Sequence, residues 1–226
     1  MPCEDIVRYD ENSEFVTAAL ADGATCCRHS LTGAQCAAEA AIDMVNTEKD
    51  RLFTMSETKI GRLLIRYILM HLQKKGVTEN ELSEYGSTLL AAAVRKSDRR
   101  ALLLKLGNGK CLAAGNERLC DPFMYRSAGG LKALTTDRCA FAAVRARTII
   151  PEQNNGIFMC TDGFEKMVFE TFRCSVEAVQ GLMEPNASGN IMQSCTSGDD
   201  AAFLIICGNA GRNEKNDRPG KPEKRT

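Results

Sequence analysis

The chain has 226 residues, with 29 basic and 29 acidic side chains and 44% hydrophobic residues. This length suits one domain with a substantial buried core, and the composition excludes a wholly disordered chain. A net charge of zero gives no global electrostatic reason to expect nucleic acid or an anionic membrane surface as a partner.

Apolar patterning in the first third of the chain predicts one strand followed by two helices. Residues 14–21, EFVTAALA, are β-prone and stop at the polar pair Asp22-Gly23, which indicates a strand that ends in a turn. Apolar residues at spacings of three and four predict a helix over 33–45 and a longer one over 56–75.

The middle of the chain contains three short apolar runs, at residues 87–94, 100–107 and 110–115. We expect consecutive antiparallel strands joined by tight turns. Between the last two runs, Asn108-Gly109 is a strong signal for a two-residue hairpin.

The last third of the chain predicts strands at both ends of a helix. Strands are expected over 139–150, 156–160 and 201–207, and a helix is expected over about 164–183. Residues 208–226 lack large hydrophobic side chains and contain six basic and three acidic residues. We therefore expect a folded domain over 1–207 and a disordered basic tail over 208–226.

Strands that pair mostly with sequence neighbours, with the long helices in separate blocks, favour an α+β layered domain over a βαβ repeat. Neither GxGxxG nor GxxxxGK[ST] occurs in the chain, so the familiar phosphate-binding loops are excluded.

The cysteines and the beginning of the chain favour a reduced, cytoplasmic protein. Eleven cysteines cannot all pair within one chain, and MPCEDIVRYD has neither the basic nor the apolar region of a signal peptide. No CxxC pair is present, which disfavours zinc. No apolar stretch approaches the ~20 residues that a membrane-spanning helix needs.

Carboxylates recur at the ends of the predicted strands. Asp22 follows one strand, Asp162 follows another within IFMCTDG, and Asp199 precedes the last one within SGDDAAFLIIC. An Asp-Gly pair alone is an ordinary turn. Several strands that end at one edge, however, would bring their carboxylates together, and a divalent cation would relieve the repulsion. All-oxygen ligation selects magnesium, manganese or calcium.

The order of these motifs resembles the type-2C family of metal-dependent Ser/Thr protein phosphatases, especially its compact bacterial branch. The similarity is carried by CEDIV, ALADGATCCRHSLTGAQCAAEAA, YGSTLLAAAV, LLLKLGNGKCLAAG, FMCTDGFEKMV and SGDDAAFLIIC, and it extends from about residue 3 to residue 207. The resemblance implies an α-β-β-α sandwich around a central pair of mostly antiparallel sheets.

Matched position by position, the resemblance implies a site for two Mn²⁺ or Mg²⁺ ions. Asp22, Asp162 and Asp199 would be direct ligands, together with the backbone carbonyl of Gly23. Glu4 and Asp5 would act mainly through metal-bound water. The nucleophile would be a metal-bound water, so no catalytic side chain is assigned.

The resemblance also implies a hydrolase in bacterial signalling that removes phosphate from serine or threonine of a phosphorylated protein substrate. We expect a monomer with no nucleic-acid or membrane partner. Arg28, in the loop after Asp22, is the preferred candidate for a phosphate contact, and Arg8 is the alternative.

The sequence departs from the family pattern at two positions. Ala24 stands where many relatives carry a histidine that could protonate the leaving group, and His29 is a possible substitute. Asn108 stands where relatives often place a carboxylate associated with a third ion. A second hypothesis therefore stays open, in which the chain is a catalytically weak or inactive phosphatase-fold domain with a regulatory or interaction role.

Overall fold

The computed structural model of the chain describes residues 4–114, 119–123, 134–150, 156–165 and 201–207. In chain order the elements are β1 (Asp5–Glu11), β2 (Phe15–Asp22), α1 (Ser30–Glu48), a 3₁₀ helix (Lys49–Thr54), α2 (Glu57–Lys74), a second 3₁₀ helix (Glu79–Tyr85), β3 (Leu89–Arg95), β4 (Ala101–Leu106), β5 (Lys110–Ala114), β6 (Leu119–Cys120), α3 (Ala140–Ala143), β7 (Arg145–Ile149), β8 (Gly156–Cys160), α4 (Asp162–Glu165) and β9 (Phe203–Cys207).

The strands form two antiparallel sheets. The first sheet has the order β1-β2-β3-β4-β7, and the second has the order β6-β5-β8-β9. Helices α1 and α2 pack against the first sheet on the face away from the second. The predicted α+β class with a central pair of antiparallel sheets is confirmed.

Alternation along the strands fills two separate cores. On β2, Phe15, Ala19 and Ala21 face the helices, whereas Ala18 and Leu20 face the second sheet. This is the period of two that a strand buried on both faces requires. The first sheet therefore forms the wall between a helix-side core and an inter-sheet core.

Helix α1 packs closely on the first sheet because its inner face carries small side chains. Ala34, Ala37, Ala38 and Ala41 are all fully buried. Helix α2 presents larger residues at helical spacing to the same core: Ile60, Leu64, Ile68 and Leu72. Both helices agree with the sequence predictions to within about three residues at each end.

The hairpin predicted at Asn108-Gly109 is wrong. β4 belongs to the first sheet and β5 to the second, so this turn carries the chain from one sheet to the other. Gly107 and Gly109 both have positive φ, at 86° and 81°. A Cβ atom on Gly109 would lie 2.7 Å from the carbonyl oxygen of Cys160 on β8. A β-carbon atom on Gly109 would therefore obstruct the crossing, and the positive φ of Gly107 also favours glycine.

Other local features also differ from prediction. Residues 139–150 were expected to form one strand, but the segment starts with the short helix α3 and becomes a strand only at Arg145. Strand β1 and both 3₁₀ helices had no counterpart among the predictions. Most of the helix predicted over 164–183, and the whole predicted tail over 208–226, lie outside the described residues.

Candidate metal centre

Strand register places two expected site residues opposite each other. Asp5 begins β1 and pairs directly with Asp22, the last residue of β2. Asp22 shares the face of Ala18 and Leu20, which line the inter-sheet core. Both carboxylates therefore lie at the edge of the first sheet, on the side of the second sheet.

The third carboxylate comes from the second sheet. Asp162 follows β8, two residues beyond its end, and its side chain lies within hydrogen-bonding reach of Asp22. The sequence argument had expected the strands of one sheet to meet at one edge. The structure instead brings together one edge from each of two facing sheets.

The pKa of Asp22 reflects its burial beside two other carboxyl groups. Burial, followed by the negative charges of Asp5 and Asp162 and by hydrogen bonds with both side chains, raises the pKa of Asp22 from 3.8 to about 8. At neutral pH without metal, Asp22 thus retains a proton and can donate it to a neighbouring carboxylate. Such crowding of acids is the electrostatic condition that a bound cation relieves.

Thr161 fastens the two sheets at this point. Its hydroxyl donates a hydrogen bond to Asp5 Oδ2 at 2.9 Å and accepts one from the backbone N–H of Ala202 at 3.0 Å. Its own N–H donates to the Ala202 carbonyl at 3.0 Å. The residue is 4% exposed. In the sequence, Thr161 stands out only as part of a turn motif. A hydroxyl directly after an apolar strand is the feature that could have predicted its role.

Gly23 lies where a side chain would collide with its surroundings. A Cβ atom there would lie 3.0 Å from Ser30 at the start of α1 and 3.1 Å from the Glu4 side chain. The Gly23 N–H donates to the Glu4 carbonyl at 3.2 Å, and Thr88 N–H donates to the Asp22 carbonyl at 2.8 Å. The absence of a side chain lets the loop pass between β1, β3 and α1 next to the carboxylates.

The structure does not bring the expected phosphate-binding arginines to the carboxylates. Arg28 is exposed, and within the described part of the chain its guanidinium makes no hydrogen bond or ion pair. Arg8 points to the helix side, where its Nε lies 4.0 Å from Glu39 Oε1 on α1.

Two residues bear on the departures from the family pattern: His29, the possible substitute for the missing histidine, and Asn108. His29 stacks on Tyr85 with ring centroids 5.0 Å apart, and its N–H donates to the Glu84 carbonyl at 2.8 Å. Asn108 is exposed at the turn between the two sheets. Cys160, next to the site, is buried, and burial raises the pKa of its thiol, so it is not an activated nucleophile.

The donor set suits a hard cation, although it is incomplete in the described residues. Among residues 4–114, 119–123, 134–150, 156–165 and 201–207, no group of three or more His, Cys, Asp or Glu side chains is already arranged as a metal site. Asp22 instead forms hydrogen bonds with the side chains of Asp5 and Asp162. Asp199 lies outside the described residues. The oxygen chemistry and the crowding of charge fit magnesium or manganese.

The protein has two facing antiparallel sheets and an outer helical layer, and acidic residues lie where the sheet edges meet. It is therefore a layered α+β protein with a candidate cation site. A family model described as Protein phosphatase 2C matches residues 1–193. The chain belongs to this family, whose members are metal-dependent. A search of curated proteins finds no match.

Solved structures share this fold at low sequence identity. RsbX in complex with magnesium is 13% identical, with a TM-score of 0.55, and the alignment covers 91% of this chain and 86% of RsbX. Stp1 from Staphylococcus aureus, a serine/threonine phosphatase, is 12% identical, with a TM-score of 0.59 and coverages of 92% and 89%. A bacterial serine phosphatase is 11% identical, with a TM-score of 0.63 and 92% coverage of both chains. At these identities the likeness establishes the fold alone.

None of the helices in the described residues is long and apolar enough to cross a membrane.

Proposed function

We propose that this chain is a metal-dependent protein serine/threonine phosphatase that hydrolyses phosphoester bonds with water activated by two divalent ions. The observation that carries the proposal is the contact of Asp22 with both Asp5, its partner in the first sheet, and Asp162, which follows β8 of the second sheet. Membership of the Protein phosphatase 2C family over residues 1–193 supports it independently.

In the proposed site, Asp22, Asp162 and Asp199 hold the ions directly, with the carbonyl of Gly23. Glu4 and Asp5 act through bound water. The magnesium in the RsbX structure supports a hard divalent ion. Two such ions supply a water of lowered pKa and positive charge that orients the phosphate.

The chain's own residues have three further tasks in this proposal. Thr161 fixes the Asp5 carboxylate through its hydroxyl. Gly23 lets its loop pass closely between Glu4 and Ser30 next to the carboxylates. Asp22 gives up its proton when the ions bind, so ion binding and proton release are linked.

The substrate is a phosphorylated protein, the enzyme acts as a monomer, and residues 208–226 form a basic tail outside the catalytic domain.

The test is hydrolysis of a phosphothreonine peptide and of an aryl phosphate with Mn²⁺, with Mg²⁺ and with EDTA. We expect turnover only with metal, and a loss of at least about a hundredfold in Asp22→Asn and in Asp162→Asn, because each removes ion affinity and water activation together. Asp98→Asn is the matched control, since Asp98 pairs with Arg95 at a surface turn far from the cluster. Metal-independent turnover, or full activity in both site variants, would refute the proposal.

The second candidate is a catalytically weak or inactive domain of the same fold. Ala24 in place of the family's histidine, with His29 stacked on Tyr85 instead of directed at the carboxylates, is the observation that favours it. Calorimetric titration with Mn²⁺ separates the two candidates. Ion binding that Asp22→Asn abolishes, with no turnover of any phosphoprotein tested, would favour the second.

A further inference from the structure

Helix α2 has a second, partly exposed apolar stripe beside the one that it buries in the core. Ile65 and Leu69 lie one helical turn apart and Met70 follows Leu69, all between Arg62 and Gln73. Ile65 also packs against the helix-side core. Ile65 and Leu69 are only half-buried, and Met70 is 40% exposed. Helices of a small domain usually present charged or polar residues on their outer face, so a second stripe requires a reason.

This stripe forms one wall and the floor of a groove, and Phe141 of α3 forms the other wall. The groove has a volume of about 480 Å³. Gly61 of α2 lets α3 approach closely, because a Cβ atom there would overlap the carbonyl oxygen of Phe141. This approach sets the distance between the two walls. The guanidinium of Arg62 lies 5.4 Å from the centroid of the Phe141 ring, which holds both side chains at the rim.

The groove is positively charged as well as apolar. Arg62 and Arg66 are exposed, one helical turn apart, and neither forms an ion pair with an acid in the described part of the chain. By contrast, Arg145 and Arg147 of β7 are both paired with Glu57, the first residue of α2. The positive charge at the groove is therefore not neutralised by any acid of the described residues.

We propose that this groove docks an amphipathic helix of a partner protein, with an apolar stripe on the floor and acidic side chains against Arg62 and Arg66. Charge complementarity identifies this partner chemistry. The chain's own residues 208–226 carry six basic and three acidic side chains and no large hydrophobic ones, so they do not match the groove. A dimer through facing α2 helices would set the same arginine pair of each copy against the other.

The location of the groove gives docking a defined consequence. α2 covers the helix side of the first sheet, whereas Asp22 and Asp5 lie on the inter-sheet side. A helix bound in the groove therefore leaves the candidate metal centre open. The surface suits recruitment of a partner, and the inference does not depend on catalytic activity.

The probe for the experiment is a fluorescein-labelled synthetic helix with leucine every three or four positions and glutamate on both flanks. Its binding to the full chain is followed by fluorescence anisotropy at 0.15 M salt, where the Debye length of about 8 Å suppresses long-range attraction. We expect saturable binding that Arg62→Glu/Arg66→Glu weakens at least about tenfold. Met70→Asp should weaken it as well, because it places a charge on the apolar floor.

Two matched controls isolate the groove and its charge. Lys59→Glu/Lys74→Glu makes the same change of charge on the same helix outside the groove, and it should leave binding unchanged. A second probe with lysine in place of glutamate should bind only to Arg62→Glu/Arg66→Glu. Circular dichroism and thermal unfolding confirm that each variant is folded.

Equal binding of the acidic probe by wild type and Arg62→Glu/Arg66→Glu would overturn the proposal, as would equal binding of both probes by the wild type. Binding of phosphatidylserine vesicles through the same two arginines, with no binding of the acidic helix, would also overturn it and would identify a lipid surface as the partner.

Discussion

Asp22 allows the most direct test of the carboxylate cluster, in protein from which metal has been removed. Burial and the charges of Asp5 and Asp162 raise the pKa of Asp22 from 3.8 to about 8 in the folded chain. In the unfolded chain this carboxyl ionises near its ordinary value. Because the folded pKa is the higher one, the contribution of Asp22 to stability is fully present below about pH 4 and is lost as the pH rises towards 8.

The size of this effect follows from the two pKa values. Each pH unit between them corresponds to about 1.4 kcal/mol, which sets an upper limit of about 5–6 kcal/mol on the loss of folding free energy. Asp22 is only partly buried, so water and local relaxation reduce that limit, and we expect about 2–3 kcal/mol. Asp22→Asn keeps a hydrogen-bond donor at the site and removes the titrating group.

The assay is urea unfolding in EDTA at several pH values from 5 to 8. Asp22→Asn should be more stable than the wild type at pH 8, and the difference should shrink as the pH falls. Added Mn²⁺ should reverse the order, because it stabilises only the chain that binds it. In the control Asp98→Asn the sign is opposite, since a hydrogen bond from Arg95 lowers the pKa of Asp98 to about 2. If Asp22→Asn is no more stable than the wild type at pH 8, the carboxylates do not repel one another and the proposed cluster is wrong.

Two further predictions concern the supports of the site. Gly33→Ala should lower the free energy of unfolding by about 1–3 kcal/mol, measured in urea, since its Cβ atom would overlap the Tyr85 carbonyl oxygen. In the control Gly76→Ala nothing lies within 4 Å of the Cβ atom, so the positive φ alone should lower it by about 1 kcal/mol. Equal losses in the two variants would contradict the close packing of Gly33 on Tyr85. Thr161→Val should lower the Mn²⁺ affinity about tenfold in calorimetry because it removes the hydrogen bond to Asp5. Thr161→Ser keeps the hydroxyl and should keep the affinity. Equal affinities in the two variants would show that the hydroxyl does not position the carboxylate.

Elements with a strong hydrophobic period could be predicted from the sequence. The alanine stripe of α1 and the Leu/Ile stripe of α2 fix both helices, and the run IFMC fixes β8, because burial of these side chains dominates the local energy. β1 was missed because DIVRYDE mixes polar and apolar residues on both faces and forms a strand by pairing with β2. Its position depends on a partner strand, which no local pattern encodes.

The outer stripe of α2 was also hidden in the sequence. Leu69 and Met70 count as apolar residues of a helix, and nothing in their spacing separates a buried face from an exposed one. Only the packing of α3, through Gly61 and Phe141, shows that these side chains line a groove.

The turn at Asn108-Gly109, which was wrongly predicted to be a hairpin, decides whether the carboxylates can come together. Had β4 and β5 paired within one sheet, β8 would have extended that sheet sideways, because it pairs with β5. Asp162 would then have been separated from Asp22 by the width of several strands, at about 4.8 Å each. Because the chain crosses at Gly107 and Gly109, the second sheet lies over the first, and the end of β8 comes to rest beside the end of β2. The turn that was misread is therefore the feature that allows the site predicted from the carboxylates to form.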